Sequence, residues 1–302
     1  MANKPNIIVI GSFMYDLVVQ TPRFPDIGET IVGSQFFQAT GGKGANQALQ
    51  AARLGARVTM AGKVGNDAFG DAHVESMREA GVDISTILRS ETAPTGIGNI
   101  SLDPEGRNKI IIVPGANMEI TEAEIQSWEQ DIADADMLIL QLEIPLPCVY
   151  KAIQLAHQNN TPVMLNPAPA QSIDKQMVGL VTYLTPNETE TAILTGVKVV
   201  DEASADQAAQ TLLELGVQHV VITMGEHGVF YRDGKQKFFK EANKVKAVDT
   251  VAAGDSFIGA LAFSLASGKG IEDSLSFSNK VAGISVTRYG AQPSLPHMHE
   301  VN

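Results

Sequence analysis

The chain has 302 residues, and 22 Lys and Arg against 34 Asp and Glu give it a formal net charge of −12. That balance argues against a nucleic-acid backbone or anionic lipid as main partner, and a hydrophobic content of 44% excludes a disordered chain. Cys148 is the only cysteine, which excludes an intrachain disulfide and a Cys-rich metal site.

No apolar run approaches the ~20 residues of a membrane span. The start, MANKPNIIVIGS, carries an apolar run of only about five residues, too short for a secretory signal. A soluble, cytoplasmic protein is the expectation.

In chain order, the continuous apolar run Asn6–Ile10 reads as a buried strand ending at Gly11. Ala45–Leu54 is small and apolar at helical spacing and stops at Gly55, and Val58–Ala61 is a short strand. Ala68–Ala80 is an amphipathic helix closed by Gly81. Asp136–Gln141 is another buried strand, and Pro145 opens a helix to about His157. Val163–Asn166, Val181–Thr185 and His219–Thr223 are strands; Glu188–Leu194, Ala203–Leu215, Gly254–Ala266 and Ile271–Thr287 are helices. This alternation predicts an α/β fold, a mainly parallel sheet with helices on both faces.

Two stretches break the alternation. Asp16–Ala39 alternates apolar and polar residues, and Gly96–Val113 holds a turn at Asp103-Pro104-Glu105-Gly106 between two strand-like runs. Both read as antiparallel strands outside the main sheet. The expectation is one domain over 1–302, with a small β lid from about 14–40 and 96–113.

Several constellations stand at the ends of these elements. Gly41-Gly42-Lys43-Gly44-Ala45-Asn46 is a glycine-rich turn entering a helix, where backbone can approach a ligand and helix N–H groups face it. Lys43 and Asn46 project from one face. The spacing is not that of a Walker loop, and the turn serves equally as a plain strand–helix connection.

In Asp249-Thr250-Val251-Ala252-Ala253-Gly254-Asp255, three small residues precede an acid at a helix start. Their N–H groups could hold a transferring phosphoryl group while Asp255 accepts a hydroxyl proton; Asp255 could also merely cap the helix. Asn187-Glu188-Thr189-Glu190 either caps a helix or faces a phosphate and its Mg²⁺. Thr223-Met224-Gly225-Glu226-His227-Gly228 is a ligand-facing strand end or a hairpin turn before Val229–Tyr231. Asp16 and Glu143 each follow a strand. The first strand leads into GSFMYD rather than a G-x-G-x-x-G fingerprint, which disfavours a dehydrogenase.

Together GSFMYD, DIGET, GGKGANQA, KVGNDAFG, QLE, NPAPA, TPNETE, VITMGEHGV, AVDTVAAGDSF and TRYGAQPS resemble the PfkB-type carbohydrate kinase family, in its ribokinase and deoxyribokinase subgroup. The resemblance implies ATP-dependent phosphorylation of the 5-hydroxyl of ribose or 2-deoxyribose. It makes Asp255 the base and Ala252, Ala253 and Gly254 the anion hole. Met14, Asp16, Gly42, Lys43, Asn46 and Glu143 match sugar-binding positions. Asn187, Thr223, Gly225, Gly228, Gly254 and Asn279 match nucleotide positions, and Glu190 matches a Mg²⁺ position acting through water or phosphate. An activating K⁺ maps to Asp249, Val251, Ser285, Arg288, Gly290 and Ser294, mainly through carbonyls. The lid strands imply a homodimer.

Two positions depart from the common pattern. Many bacterial ribokinases carry Asn where this chain has Met14, and deoxyribokinases carry Met, as do some eukaryotic ribokinases. Met is a poor partner for a sugar hydroxyl, so Met14 points toward 2-deoxyribose or simply packs beside a tolerant pocket. Val251-Ala252-Ala253 replaces the commoner Thr-Gly-Ala and keeps the residues small. Another sugar or nucleoside kinase of the family, or a non-catalytic sugar sensor on the same fold, are the alternatives.

Overall fold

The computed structural model describes residues 4–301. Its thirteen strands are β1 (Asn6–Ile10), β2 (Met14–Gln20), β3 (Gln35–Gly41), β4 (Arg57–Gly65), β5 (Ile87–Ser90), β6 (Gly96–Leu102), β7 (Asn108–Val113), β8 (Met137–Leu140), β9 (Val163–Leu165), β10 (Tyr183–Leu184), β11 (His219–Thr223), β12 (Gly228–Asp233) and β13 (Lys237–Glu241). The helices are α1 (Lys43–Arg53), α2 (Ala68–Glu79), α3 (Glu122–Ser127), α4 (Glu129–Ala133), α5 (Leu146–Gln158), α6 (Lys175–Val178), α7 (Glu188–Thr195), α8 (Glu202–Glu214), α9 (Ala253–Ala266), α10 (Ile271–Ser285) and α11 (Met298–Val301).

Nine strands form one sheet in the order β13-β12-β11-β10-β9-β8-β1-β4-β5, parallel from β11 to β5 and antiparallel at β12 and β13. The period of two along β1 sorts its side chains onto opposite faces. Ile8 and Ile10 enter a core with Ile125, Val149, Ile153 and Leu212, under α3, α5 and α8. Ile7 and Val9 enter a second core with Leu49, Met77, Phe257, Leu261 and Leu275, under α1, α2, α9 and α10. Burial on both faces explains why the central strands read as unbroken apolar runs.

The smaller sheet has the order β3-β2-β6-β7. β2–β3 and β6–β7 are antiparallel pairs, as the sequence indicates, and a parallel β2–β6 pairing joins them. Every residue of β7 is exposed, including Ile110, Ile111, Ile112 and Val113. Gly106, at φ +80°, closes the β6–β7 turn by donating its N–H to the Asp103 carbonyl at 3.0 Å.

Expected and observed boundaries differ at informative places. The strand expected over Val181–Thr185 is assigned only at Tyr183–Leu184, but its pairing extends through Thr182 N–H to Val163 O and Thr185 N–H to Leu165 O. The helix expected to reach Thr287 ends at Ser285, where the Val286 carbonyl turns to accept the N–H groups of Val248 and Asp249. β5, β13, α3, α4, α6 and α11 are additions to the elements expected from the sequence.

Candidate active site

The C-terminal ends of β1, β8, β9, β10 and β11 meet the N-termini of α1, α7 and α9, the position at which parallel sheets present ligands. Gly42 is the residue before α1 and has φ +91°. A Cβ there would stand 2.6 Å from Met14 N, and one on Gly44 would stand 2.5 Å from Ser12 N. Only glycine allows the turn to press against the chain leaving β1.

Glu143 fastens that turn from the other side. One of its oxygens, Oε2, accepts the Ser12 hydroxyl at 2.5 Å and the Lys43 backbone N–H at 3.1 Å. Ser12, Glu143 and Lys43 thus form one hydrogen-bonded rim beside Gly42. Asp16 lies beside it on β2, wedged so closely that a Cβ on either Gly41 or Gly98 would stand 2.7 Å from its carboxylate.

Asp255 sits in the first turn of α9 and is 8% exposed. Both of its oxygens are held by α1. Asn46 Nδ2 donates to Oδ2 at 2.9 Å, and Gln47 Nε2 donates to Oδ1 at 2.9 Å. Asn46 keeps its own Oδ1 buried and without a partner, available to a ligand hydroxyl.

The turn before α9 carries backbone strain. Ala252 adopts φ +59°, a left-handed conformation that costs a non-glycine residue about 1–2 kcal/mol. No side chain caps this helix. The Ala253 N–H donates to the Thr250 carbonyl at 3.2 Å, and Ser256 donates to Ala252. The Gly254 and Asp255 N–H groups find no protein acceptor among the described residues. Of the expected anion-hole donors, Ala253 is therefore taken, and the N–H groups left free in this turn are those of Ala252, Gly254 and Asp255. Asp255 does not cap the helix with its carboxylate, which points to α1 instead.

The charges here are interdependent. Burial, then the charges of Glu143 and Asp255, push the Asp16 carboxyl up to about 6. Burial alone would pull the Lys43 ammonium down, but Asp255, Glu143 and Glu190 together outweigh it and hold it above the usual lysine range. Burial also raises Glu190. Lys43 is thus the cation shared by three of these carboxylates, Asp255, Glu143 and Glu190.

Asn187 and Glu190 form a reciprocal cap on α7. Asn187 N–H and Nδ2 donate to the two oxygens of Glu190 at 2.8 and 3.0 Å, and Glu190 N–H donates to Asn187 Oδ1 at 2.9 Å. The capping role is therefore realised, and it leaves free lone pairs on a buried carboxylate near Lys43. The Thr223–Gly228 segment is the β11–β12 turn. Gly228 there has φ +124°, and a Cβ on it would stand 2.0 Å from the Lys240 carbonyl. Asn279, on α10, reaches the same region by donating to the Glu241 carbonyl at 3.2 Å.

The residues matched to K⁺ also come together. Asp249 Oδ2 accepts the Gly290 N–H at 2.9 Å, and its Oδ1 accepts the Val251 N–H at 3.0 Å. Ser285 and Ser294 share a buried hydroxyl–hydroxyl bond of 2.9 Å. The Arg288 guanidinium is engaged by Glu300 at 2.6 Å, which leaves only its carbonyl to offer a cation. An all-oxygen set of this kind suits a hard monovalent cation.

Four residues bonded into this site were not singled out in the sequence: Ser12, Gln47, Gln141 and Asn166 lie inside GSFMYD, GGKGANQA, QLE and NPAPA but carry no charge to mark them. Met14 is 5% exposed, and its Sδ lies 3.4 Å from Asn117 Nδ2, whose two hydrogens go to the Phe13 and Pro114 carbonyls at 2.7 and 2.8 Å. It lines an apolar cavity of about 410 Å³ together with Ile112, Leu142, Glu143 and Ile144.

Known proteins resemble this chain over almost its whole length. The family model described as pfkB family carbohydrate kinase matches residues 4–298. The chain belongs to that family. It is 40% identical to a ribokinase of Haemophilus influenzae over 298 residues, covering 98% of this chain and 97% of that one. It is 35% identical to a deoxyribokinase of Salmonella typhi, covering 98% and 97%. Among solved structures, Arabidopsis thaliana ribokinase complexed with ribose and ATP matches with a TM-score of 0.92 at 30% identity, over 99% of this chain and 98% of that one. A carbohydrate kinase transfers phosphate to a sugar hydroxyl, so this member of the family is a phosphotransferase with an alcohol acceptor.

The raised Asp16 makes a prediction about stability. Its folded value, about 6, exceeds the ordinary 3.8, so the folded chain binds the extra proton and stability falls as pH rises from about 4 through about 6. Asp16→Asn removes that loss. Relative to the parent protein, the variant should gain on the order of 1–2 kcal/mol at pH 8 over its standing at pH 4. Urea midpoints at the two pH values measure this; a gap that does not change with pH contradicts it.

Proposed function

We propose that the protein is an ATP-dependent pentose kinase that phosphorylates the 5-hydroxyl of D-ribose or 2-deoxy-D-ribose. The observation that carries this reading is Asp255: a carboxylate fixed by two amides at the uncapped start of α9, beside free N–H groups.

In the proposed reaction the sugar lies against Gly42, Lys43, Asn46, Asp16 and Glu143. Asp255 accepts the proton of the 5-hydroxyl as that oxygen bonds to the γ-phosphorus of ATP. The bond from the γ-phosphorus to the bridging oxygen breaks, and ADP leaves with the electron pair. The Gly254 and Asp255 N–H groups, with Ala252, face the charge that develops on the phosphoryl oxygens. Asn187, the Thr223–Gly228 turn with Gly225, and Asn279 hold the nucleotide. Mg²⁺, when bound beside Glu190 through water or phosphate, supplies charge neutralisation at the phosphates. K⁺ at Asp249, Val251, Ser285, Arg288, Gly290 and Ser294 would brace the loop that carries the anion hole.

The four-stranded sheet is proposed as the lid. Its exposed apolar residues, Phe37 and Ile110 on one face and Phe36 and Ile111 on the other, support pairing of two such sheets in a homodimer, since clustered apolar side chains seldom stay in water. Light scattering should give twice the chain mass, and a monomer would contradict it. No helix among the described residues is long and apolar enough to cross a membrane, and the ATP requirement supports a cytoplasmic site, which cell fractionation tests.

Met14 supports 2-deoxyribose as a substrate. A thioether donates no hydrogen bond and accepts only weakly, so a sugar hydroxyl facing it goes without a good partner at about 1–3 kcal/mol. A sugar lacking the 2-hydroxyl escapes that cost.

Asp255→Asn should leave the fold intact and lower kcat by several orders of magnitude with ribose and MgATP; near-normal turnover would remove Asp255 as the base. Met14→Asn should raise the kcat/KM ratio of ribose over deoxyribose, and an unchanged ratio would remove Met14 from substrate choice. Activity should disappear on chelation of Mg²⁺ and rise when K⁺ replaces a bulky organic cation, whereas indifference to either would remove that ion. Turnover of adenosine or fructose in preference to both pentoses would favour another kinase of the family, and absence of ADP release with every sugar would favour a sensor.

A further inference from the structure

We infer that Gln47 is a positioning residue for Asp255, and that its own orientation is set from the ends of three strands. Gln47 is fully buried on α1. Its two amide hydrogens are both used: one goes to Asp255 Oδ1 at 2.9 Å and the other to Asn166 Oδ1 at 3.3 Å. Its carbonyl oxygen accepts from Gln141 Nε2 at 2.7 Å. Asn166 in turn donates to the Thr185 carbonyl at 3.1 Å.

Gln141, Asn166 and Thr185 are each the first residue after a strand, β8, β9 and β10 respectively. An amide side chain has two ends of similar shape and opposite polarity. Turned over, Gln47 would point a carbonyl oxygen at the Asp255 carboxylate and repel it. Gln141 prevents that, because its N–H needs the Gln47 oxygen where it is. The Gln141 Oε1 atom is itself buried without a partner, and a Cβ on Gly11 would stand 2.0 Å from it. Gln141 is thus wedged against β1 with its amide committed to Gln47.

The consequence is a division of labour between the two amides on Asp255. Asn46 retains a free oxygen toward the ligand. Gln47 has no free polar atom and is tied wholly to the sheet. Its function is to keep one carboxylate oxygen of Asp255 still, so that the other faces the hydroxyl in the reactive direction. Gln47 does not touch the sugar. Its loss should therefore appear in kcat and not in sugar binding.

The inference rests on the pentose-kinase reading above, and the test separates the two. If the parent protein transfers no phosphate to a pentose, the functional reading fails; if it does, a double-mutant cycle decides on Gln47. Gln47→Met keeps the length and removes the donor. It should lower kcat about 10- to 100-fold and leave pentose KM within about three-fold. In an Asp255→Asn background, the same substitution should change the residual rate by less than about three-fold. Gln141→Met, which leaves Gln47 in place but frees its amide to turn, should show the same split with a smaller drop. An unchanged kcat in Gln47→Met overturns the inference. So does an equal loss in both backgrounds, or a rise in KM that accounts for the loss, since a purely structural role would act that way. Should Gln47→Met not fold, Gln141→Met is carried through the same cycle under the same criteria.

Discussion

A carboxylate that is buried must be held, and the manner in which Asp255 is held organises the molecule around it. Its two oxygens are taken by neighbouring amides of a single helix, Asn46 and Gln47. That requires α1 and α9 to pack side by side beneath the sheet, with their N-termini level. The second apolar core, in which Ala45, Ala48 and Leu49 meet Phe257, Ile258 and Leu261, sets that level. Gly259 lies at the contact, where a Cβ would stand 2.7 Å from the Gln47 carbonyl. Core packing and site geometry are thus one arrangement. Widening the α1–α9 contact by a methyl group would move the amides away from the acid they orient.

The same economy governs charge. A chain with a net charge of −12 in a family of kinases must accept a strongly anionic nucleotide, and it gathers Asp16, Glu143, Glu190 and Asp255 around the proposed place of phosphoryl transfer. The resolution is local. Lys43 is kept charged by the acids around it, Asp16 is shifted toward its neutral form, and the free N–H groups of α9 add positive potential without a side chain. Glu143 accepts hydrogen bonds from the Ser12 hydroxyl and the Lys43 backbone N–H.

Much of this was legible in the sequence, for physical reasons that differ by element. Strands buried on both faces announce themselves as apolar runs, so β1 and β8 are read almost to the residue. The glycines of GGKG and the small residues before Asp255 mark places where backbone must approach closely, and the structure brings Gly42, Lys43, Asn46 and Asp255 together. Other features left no such trace. β13, KFFKE, has an ambiguous pattern because one of its edges is open. α3 and α4 are too short for periodicity, although Thr121 and Glu124 cap α3 reciprocally. The amide relay was hidden most completely: Gln47, Gln141 and Asn166 are 94 and 119 positions from one another along their hydrogen bonds, and a neutral side chain gives no sign in sequence of which partner it will meet.

The central claim is that a pentose lies with its 5-hydroxyl at Asp255 and receives the γ-phosphoryl group there. Phosphorus–carbon coupling in the NMR spectrum of the product made from ribose and MgATP tests it most directly. Coupling of the new phosphate to C5 and C4, with stoichiometric ADP, is the expected result. A phosphate coupled to C1, or ADP formed with no phosphorylated sugar, would contradict it.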